Sequence, residues 1–391
     1  MNILVIHETE YLEKVVFEYQ IIPELWANEG HNVYVIDFET NWKKNSFFDL
    51  ASKTKIIKGV RKANKRRGVT LVRPWFIKIP GVSRTSAAIS HYYEIKKIVL
   101  DKKIDVIFLY SVPTNGYQVI RLAKKLKVPV YFRLLDVLNQ LVPYRIFSTP
   151  TYFLEKYVYK KVDYLTAITP RLTKYAIKLG ANPKTTTYLP SGSDSDLFYP
   201  EQKNTQLMKS LGIKKTDKVI TFAGTLYNFS GLDKILKYFA KNISSYPNLK
   251  FLIIGHGEQG SYLKKIIREN RLENWVIMTG FVDYQDLGRY LNLSDICINP
   301  FEINKITDII FPGKIYQYLA CEKPVIATKL SGVLDIFPDK SGARGIYYYN
   351  YKKPSEFFDL IKTIKLKPIK DKELSLQDIA KTILDDFKKL I

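Results

Sequence analysis

The sequence predicts an α/β protein built from two doubly wound halves, each a parallel sheet wrapped by helices. Short apolar runs of strand length alternate with segments of helical spacing in both halves. A turn-rich stretch, Leu189 to Pro200, divides the halves, and the pattern begun at Ile3 starts again at Val219. Strand–helix–strand units of this kind take a right-handed crossover and so pair their strands in parallel. A chain of 391 residues can bury two separate cores.

In order along the first half, Ile3 to Ile6 is a buried strand that runs into His7-Glu8-Thr9-Glu10-Tyr11. Phe17 to Asn28 carries Ile21, Ile22, Leu25 and Trp26 at core spacing for a helix, Gly30 stops it, and Val33 to Ile36 is the next strand. Asp105 to Tyr110 is a strand with Ser111 to Gly116 as its C-terminal loop, Gln118 to Leu126 is a helix, and Val128 to Phe132 is a strand ending at Arg133 and Asp136. Tyr152 to Tyr159 is helical, and Asp163 to Thr169 leads into Pro170 at the start of another helix. Doubly wound sheets carry their sites at the carboxyl ends of the strands, so His7, Glu8, Tyr110, Asn115, Arg133 and Asp136 are expected on one edge. Arg133 and Asp136 can equally form a buried structural pair.

Lys53 to Lys103 holds fifteen Lys and Arg residues, among them Arg61, Lys62, Lys65, Arg66 and Arg67, against Glu94 and Asp101. Trp75, Phe76, Ile77 and Ile79 interrupt the charges. Basic residues interleaved with bulky apolar ones suit an anionic bilayer surface, and also single-stranded nucleic acid or a plain solvated face over core strands.

The second half begins with Val219 to Phe222, a strand running into Ala223-Gly224-Thr225-Leu226, and a helix over Gly231 to Ala240. Gly224 lets backbone approach a ligand closely. Phe251 to Ile254 leads into Gly255-His256-Gly257, Val276 to Met278 into Gly280-Phe281-Val282, and Asp295 to Asn299 into Pro300. Phe311-Pro312-Gly313 then breaks the chain before a short helix over Lys314 to Cys321, with Ile315, Tyr318 and Leu319 on one face, and Val325-Ile326-Ala327 is a buried strand. A helix opening after such a turn offers free backbone N–H groups, and Lys314 in its first turn fits a site that holds an anion. Gln317 follows on the same face.

Residues 311–328 resemble the donor-binding signature of GT-B-fold glycosyltransferases of glycosyltransferase family 4, commonly Pro-x-Lys-x-x-Glu-Tyr-x-Ala-x-Gly-Lys-Pro-Val. The junction Leu189-Pro190-Ser191-Gly192-Ser193-Asp194-Ser195-Asp196-Leu197-Phe198-Tyr199-Pro200 resembles the family's Pro-Asn-Gly-x-Asp-x-x-x-Phe-x-Pro linker. The resemblance implies a GT-B fold, two Rossmann-like domains facing across a cleft. It implies an acceptor domain over 1–188, a donor domain over 189–370, and a final helix over 371–391 that packs back on the first domain. In the family the glutamate at the position of Gln317 typically binds the nucleotide ribose. A second glutamate, which contacts the donor sugar in many members, is replaced here by Ile309. The Lys-Gly or Arg often found in the family's first loop is replaced by Ser230 and Thr225, which leaves Lys314 to neutralise the phosphates. Asp194-Ser195-Asp196 also spells the Asp-x-Asp metal motif of the other large glycosyltransferase fold, but it sits in a linker.

The composition, 46% hydrophobic and 25% charged, is that of a soluble globular protein, and no apolar run reaches membrane-spanning length. Cys297 and Cys321 are the only cysteines, which argues against a disulfide framework or a cysteine-based metal site. Met1-Asn2 leads straight into the first strand, so cytosol is the expected compartment. The net charge of +23 calls for an anionic partner or reflects compositional bias.

The expected reaction is transfer of a sugar from a nucleotide diphosphate to an acceptor hydroxyl, with retention implied by the resemblance and a lipid-phosphate-linked or glycan acceptor. Donor-binding candidates are Gly224, Thr225, Gly257, Phe281, Gly313, Lys314 and Gln317; acceptor-binding candidates are His7, Glu8, Tyr110, Asn115 and Arg133. Lys314 is expected to stabilise the leaving diphosphate, and an inverting reaction would need Glu8 or Asp136 as base. Neither a metal nor another cofactor is expected. The expected partners are a nucleotide sugar and the cytosolic face of an anionic membrane, with no nucleic acid. Rival readings are a GT-B sugar-nucleotide epimerase, a non-catalytic donor-binding homologue suggested by Ile309 and Gln317, and a basic nucleic-acid-binding protein.

Overall fold

In a computed structural model the chain forms two compact units, Met1–Ser191 with Leu376–Ile391, and Gly192–Ser375. The structure describes residues 1–40, 42, 49–63, 66–142, 145–339, 342–364 and 375–391. Lys65 of the basic segment and residues 371–374 of the expected final helix lie outside them.

The first unit runs β1 (Asn2–Ile6), α1 (Glu18–Asn28), β2 (Asn32–Ile36), β3 (Lys55–Val60), β4 (Val69–Arg73), α2 (Ser83–Asp101), β5 (Val106–Leu109), α3 (Gly116–Leu126), β6 (Val130–Leu134), α4 (Leu138–Leu141), α5 (Ser148–Lys161), β7 (Tyr164–Ala167), α6 (Pro170–Lys178) and β8 (Thr186–Tyr188). Its sheet has the order β3-β4-β2-β1-β5-β6-β7-β8, parallel throughout except that β3 pairs antiparallel with β4. The central strands are buried on both faces, which is why they read as unbroken apolar runs rather than alternating ones.

The second unit runs α7 (Thr205–Ser210), β9 (Lys218–Ala223), α8 (Leu232–Lys241), β10 (Leu249–Ile254), α9 (Gly260–Glu269), β11 (Val276–Gly280), α10 (Tyr284–Leu291), β12 (Ile296–Asn299), α11 (Lys314–Ala320), β13 (Val325–Thr328), α12 (Ser331–Leu334), β14 (Ile346–Tyr349) and α13 (Pro354–Thr363). All its strands are parallel, in the order β11-β10-β9-β12-β13-β14. The order reverses between β9 and β12, and the loops at the carboxyl ends of those two strands form the topological switch point where open α/β sheets bind ligands.

The last helix, α14 (Leu376–Leu390), belongs to the first unit. Its stripe of Leu376, Ile379, Ile383, Leu384 and Phe387 is buried. Trp26 of α1 packs its ring on Phe387 and Phe108, with centroids at 5.2 and 5.0 Å, and its indole N–H donates to the Ala380 carbonyl at 2.9 Å. The indole thus gains a large buried area without leaving its donor unpaired.

The basic segment does not form one face. Arg73 is buried and paired with Asp37 at 2.6 Å and Glu10 at 3.2 Å, and Phe76 is core. Arg66 and Arg67 lie exposed before β4, whereas half-exposed Trp75 follows it. The five residues of β4 hold Arg66 and Arg67 at the opposite end of a strand about 16 Å long from Trp75, whereas antiparallel β3 brings Lys55 opposite Arg73 and Thr54 to the Trp75 N–H.

Candidate functional site

In the second unit the switch-point loops are drawn together by backbone. After β9, Gly224 donates its N–H to the Ile254 carbonyl and Leu226 to that of His256, so the loops that follow β9 and β10 are zipped side by side. A Cβ on Gly257 would stand 2.5 Å from the Leu226 carbonyl oxygen, so only glycine permits that approach. Tyr318 of α11 fixes the end of β9 from below. Its hydroxyl accepts from the Ala223 N–H at 2.8 Å, which sets the start of α11 against Gly224.

That arrangement carries Lys314, the first residue of α11, into the switch point. Its ammonium is buried, lies 3.8 Å from the centroid of the Phe222 ring and 4.6 Å from that of Phe301, and makes no hydrogen bond. Nor does it form an ion pair among the described residues. The aromatic faces favour a cation, worth about 2 kcal/mol when desolvated, but they do not replace lost water. Burial accordingly pushes the Lys314 ammonium down to about 7.

Other polar atoms at the strand ends and loops of the second unit are buried without partners: the Ser230 hydroxyl and both amide atoms of Asn299 at the end of β12. Such groups are normally paired in a folded protein. Gln317 is half-buried one turn after Lys314, beside Tyr284. Phe281, after β11, is 60% exposed with its ring edge-on to His256 at 6.0 Å, and offers a free aromatic face. Thr225 and Gly313 are half-buried in the loops that flank Lys314. Ile309 is also half-buried; the neighbouring Asp308 carboxylate is taken up by the Ser331 N–H and hydroxyl, both at 2.9 Å.

In the first unit, His7 and Tyr110 lie close together at the carboxyl ends of β1 and β5, linked through the Tyr19 ring at 5.1 and 6.4 Å. The His7 Nδ1 meets the Thr9 hydroxyl, whereas its Nε2 and the Tyr110 hydroxyl are buried and unpartnered. Burial lowers His7 to about 4, so its ring is neutral at physiological pH, and raises the Tyr110 phenol well above its ordinary value. Asn115 is held by His91 at 3.2 Å and Gln118 at 2.8 Å through its Oδ1, leaving Nδ2 unpartnered together with the His91 Nε2 and Ser111 hydroxyl. Asp136 follows β6; burial raises its carboxyl to about 7, where it can exchange a proton at neutral pH.

Two expectations are corrected. Arg133 is wholly buried, holds Glu18 through two hydrogen bonds at 2.6 and 3.1 Å, and donates to the Leu189 and Pro190 carbonyls. It is a structural staple of the chain leaving the first unit. It lies inside β6, which extends to Leu134, and its hydrogen bonds among the described residues go to Glu18, Leu189 and Pro190 rather than to Asp136. Glu8 accepts from the N–H and hydroxyl of Thr114 and the Asn115 N–H at 2.6 to 3.1 Å, and Arg84 lies 3.5 Å away. Its carboxylate anchors the start of α3, so its lone pairs are occupied and it is not placed as a base.

Asn299, Ser230, Tyr318, His91 and Ser111 were not among the candidate site residues read from the sequence. For Asn299 the signal was present: a polar residue closing the apolar run Ile296-Cys297-Ile298 just before a proline. Among the described residues, no cluster of three or more His, Cys, Asp or Glu could hold a metal ion. Asp194, of the Asp-x-Asp, accepts from the Asp196 N–H in a local turn.

The sequence matches the family described as Glycosyl transferases group 1 over residues 203–380, and the Glycosyl transferase 4-like domain over residues 26–192. It is 26% identical over 168 residues to an Alpha-monoglucosyldiacylglycerol synthase of Acholeplasma laidlawii, 41% of this chain and 40% of that protein. It is 29% identical over 187 residues to a GDP-mannose-dependent monoacylated alpha-(1-6)-phosphatidylinositol monomannoside mannosyltransferase of Corynebacterium glutamicum, 46% of this chain and 48% of that one. The matched stretches thus span less than half of these curated relatives. The fold resembles Anabaena HepE in complex with UDP-glucose, with a TM-score of 0.64 and 16% identity, covering 100% of this chain and 97% of that one.

Proposed function

Because the chain belongs to the group 1 glycosyltransferases and has their GT-B fold, we propose that it moves a sugar from a nucleotide-diphosphate donor to a hydroxyl of an acceptor. The observation that carries this reading is the buried, unpaired ammonium of Lys314 at the switch point of the second unit. A diphosphate supplies the missing counter-charge, and as the sugar leaves, negative charge builds on the phosphate oxygen that Lys314 faces. A preorganised cation in a site screened from water stabilises that charge without reorganising. Gln317 is assigned to the ribose and the exposed Phe281 face to the base. Gly224, Thr225, Gly257 and Gly313 are assigned to backbone approach around the phosphates. HepE is solved with UDP-glucose, which supports a nucleotide sugar as the donor class.

The first unit is assigned the acceptor. His7, Tyr110 and Asn115 present unpartnered polar atoms there, and Asp136 has a carboxyl poised near neutrality. The family's retaining course needs no protein nucleophile; Asp136 is the base candidate if the course is inverting. The relatives' names specify a diacylglycerol and a phosphatidylinositol mannoside, and with the net charge of +23 they support a lipid-linked glycan acceptor at the cytosolic face of an anionic membrane. No helix among the described residues is long and apolar enough to cross a membrane.

The test is a thermal-shift screen of nucleotide sugars followed by turnover assays with and without lipid-linked acceptors. A ligand at one hundred times its dissociation constant stabilises the fold by about 2.7 kcal/mol. Donor consumption only when an acceptor is supplied supports transfer; interconversion of the donor without acceptor assigns an epimerase. No stabilisation by any nucleotide sugar sinks the donor-site reading.

A further inference from the structure

We infer that the outer face of α3 and α5 in the first unit docks the protein on an anionic bilayer, an assignment that deepens the membrane reading above and rests on it. The two helices pack closely because residue 116 has no side chain: a Cβ there would stand 2.8 Å from Val158. Tyr117 and Tyr157 continue the seam with ring centroids 5.1 Å apart. The exposed positions of α5 then fall in line, Phe153, Lys156 and Lys160 recurring at helical spacing.

The two ends of this face differ in chemistry. At its start, Ile146 is 77% exposed, Phe147 53% and Phe153 61%, with Tyr152 beside them. Side chains of this kind are costly to leave in water and gain by entering an acyl boundary. Further along α5, Lys156 and Lys160 are exposed, and at its end Lys161 stands with Arg121, Lys124 and Lys125 of α3, also exposed. Between the two helices there lies a cleft of about 920 Å³ whose cations are Arg121, Lys124, Lys125, Lys127 and Lys161. The one carboxylate lining it, Asp163, accepts from the Val130 N–H, and Glu155 of α5 is buried against Asn139 and Tyr175. The exposed charge of the face is therefore of one sign.

Cations in the last turns of α3 and α5 also offset those helices' dipoles, but that effect asks for nothing at the apolar end. An apolar tip and a basic flank on one helix face match a bilayer, whose headgroups meet the cations while its acyl chains take the tip. Nucleic acid matches the cations but has no use for an exposed isoleucine.

The test is co-sedimentation of the full chain with vesicles of phosphatidylcholine alone and of phosphatidylcholine mixed with phosphatidylglycerol. Wild type is expected to bind the mixed vesicles at least about tenfold better, and less well in high salt. Lys156→Glu/Lys160→Glu and, separately, Ile146→Ser/Phe153→Ser are each expected to lower the bound fraction about tenfold, whereas Arg66→Glu/Arg67→Glu leaves it unchanged. All six positions are exposed, and thermal unfolding checks each variant's fold. Vesicle binding that survives both variants of this face overturns its assignment and leaves membrane attachment standing elsewhere. No binding by wild type overturns both. Neither result touches the donor reading, which nucleotide binding tests by itself. Loss of self-association or of oligonucleotide binding in the apolar variant, without vesicle binding by wild type, assigns the face to a second copy or to nucleic acid and likewise overturns the proposal.

Discussion

Gly224 leaves open the volume that the Lys314 ammonium enters: a Cβ at position 224 would stand 3.0 Å from the lysine Nζ and 3.3 Å from its Cε. The φ of Gly224 is +137°, a conformation L side chains rarely adopt. Gly224→Ala therefore strains the backbone and crowds the lysine together. We expect a stability loss of about 1–3 kcal/mol and nucleotide-sugar affinity at least about tenfold weaker. Urea unfolding and calorimetry read the two effects; an unchanged affinity would separate the loop from the donor site.

Lys314→Met tests a buried charge to which the proposed function assigns a diphosphate as partner. Removing an uncompensated ammonium is expected to leave the fold as stable or slightly more so, while turnover falls about ten- to over a hundredfold at about 1.4 kcal/mol per decade. The pH dependence has a defined sign. The folded, ligand-free lysine has its pKa lowered from 10.5 to about 7, so between these values the unfolded chain binds more protons and stability rises with pH. Below about 7 the folded lysine is charged and its burial cost is fully present. Diphosphate binding favours the ammonium, so affinity is expected to fall as pH rises above about 7, with proton uptake visible in buffers of different ionisation enthalpy. Lys314→Met should show neither; a wild type with flat affinity from pH 7 to 9 would remove the lysine from the phosphate contact.

Gln317 can hydrogen-bond a ribose but without a carboxylate's charge. Gln317→Ala is expected to weaken nucleotide binding by about 1 kcal/mol with no change in the unfolding midpoint. The control is the wild type with 2′,3′-dideoxy nucleotides. If they bind as well as the ribo forms, the side chain reads something other than the ribose.

Arg133 and Glu18 stand 115 positions apart and meet where no water reaches. Breaking the pair leaves a charge buried, so Arg133→Met is expected to destabilise the fold by about 3–5 kcal/mol. Donor affinity, measured well below the unfolding midpoint, should not change. A small stability loss accompanied by weaker acceptor turnover would return Arg133 to the site.

What the sequence alone determined is the local grammar of the chain. Strands buried on both faces must be continuous apolar runs, helices must show a stripe, and reversals need Gly or Pro; these rules act over a few residues, so β1, β5, β9, β12 and the α11–β13 unit were legible without coordinates. The position of Lys314 at the opening of a helix after Pro312-Gly313 was legible for the same reason. Tertiary structure alone decided which polar groups are satisfied. Hydrogen bonds join residues by proximity, not by spacing: Glu8 meets Thr114, Arg133 meets Glu18, and both leave the list of free site groups. It also decided that the Lys314 ammonium is buried over Phe222 and Phe301, which come from two other strand ends. Charge runs show the same division. The fifteen cations of Lys53 to Lys103 are one segment in sequence, but those among the described residues are scattered by the β3–β4 hairpin and α2. Arg121, Lys124 and Lys125 of α3 and Lys161 of α5 are dispersed in sequence but line one cleft, because helix packing, not chain order, sets which side chains meet the solvent together.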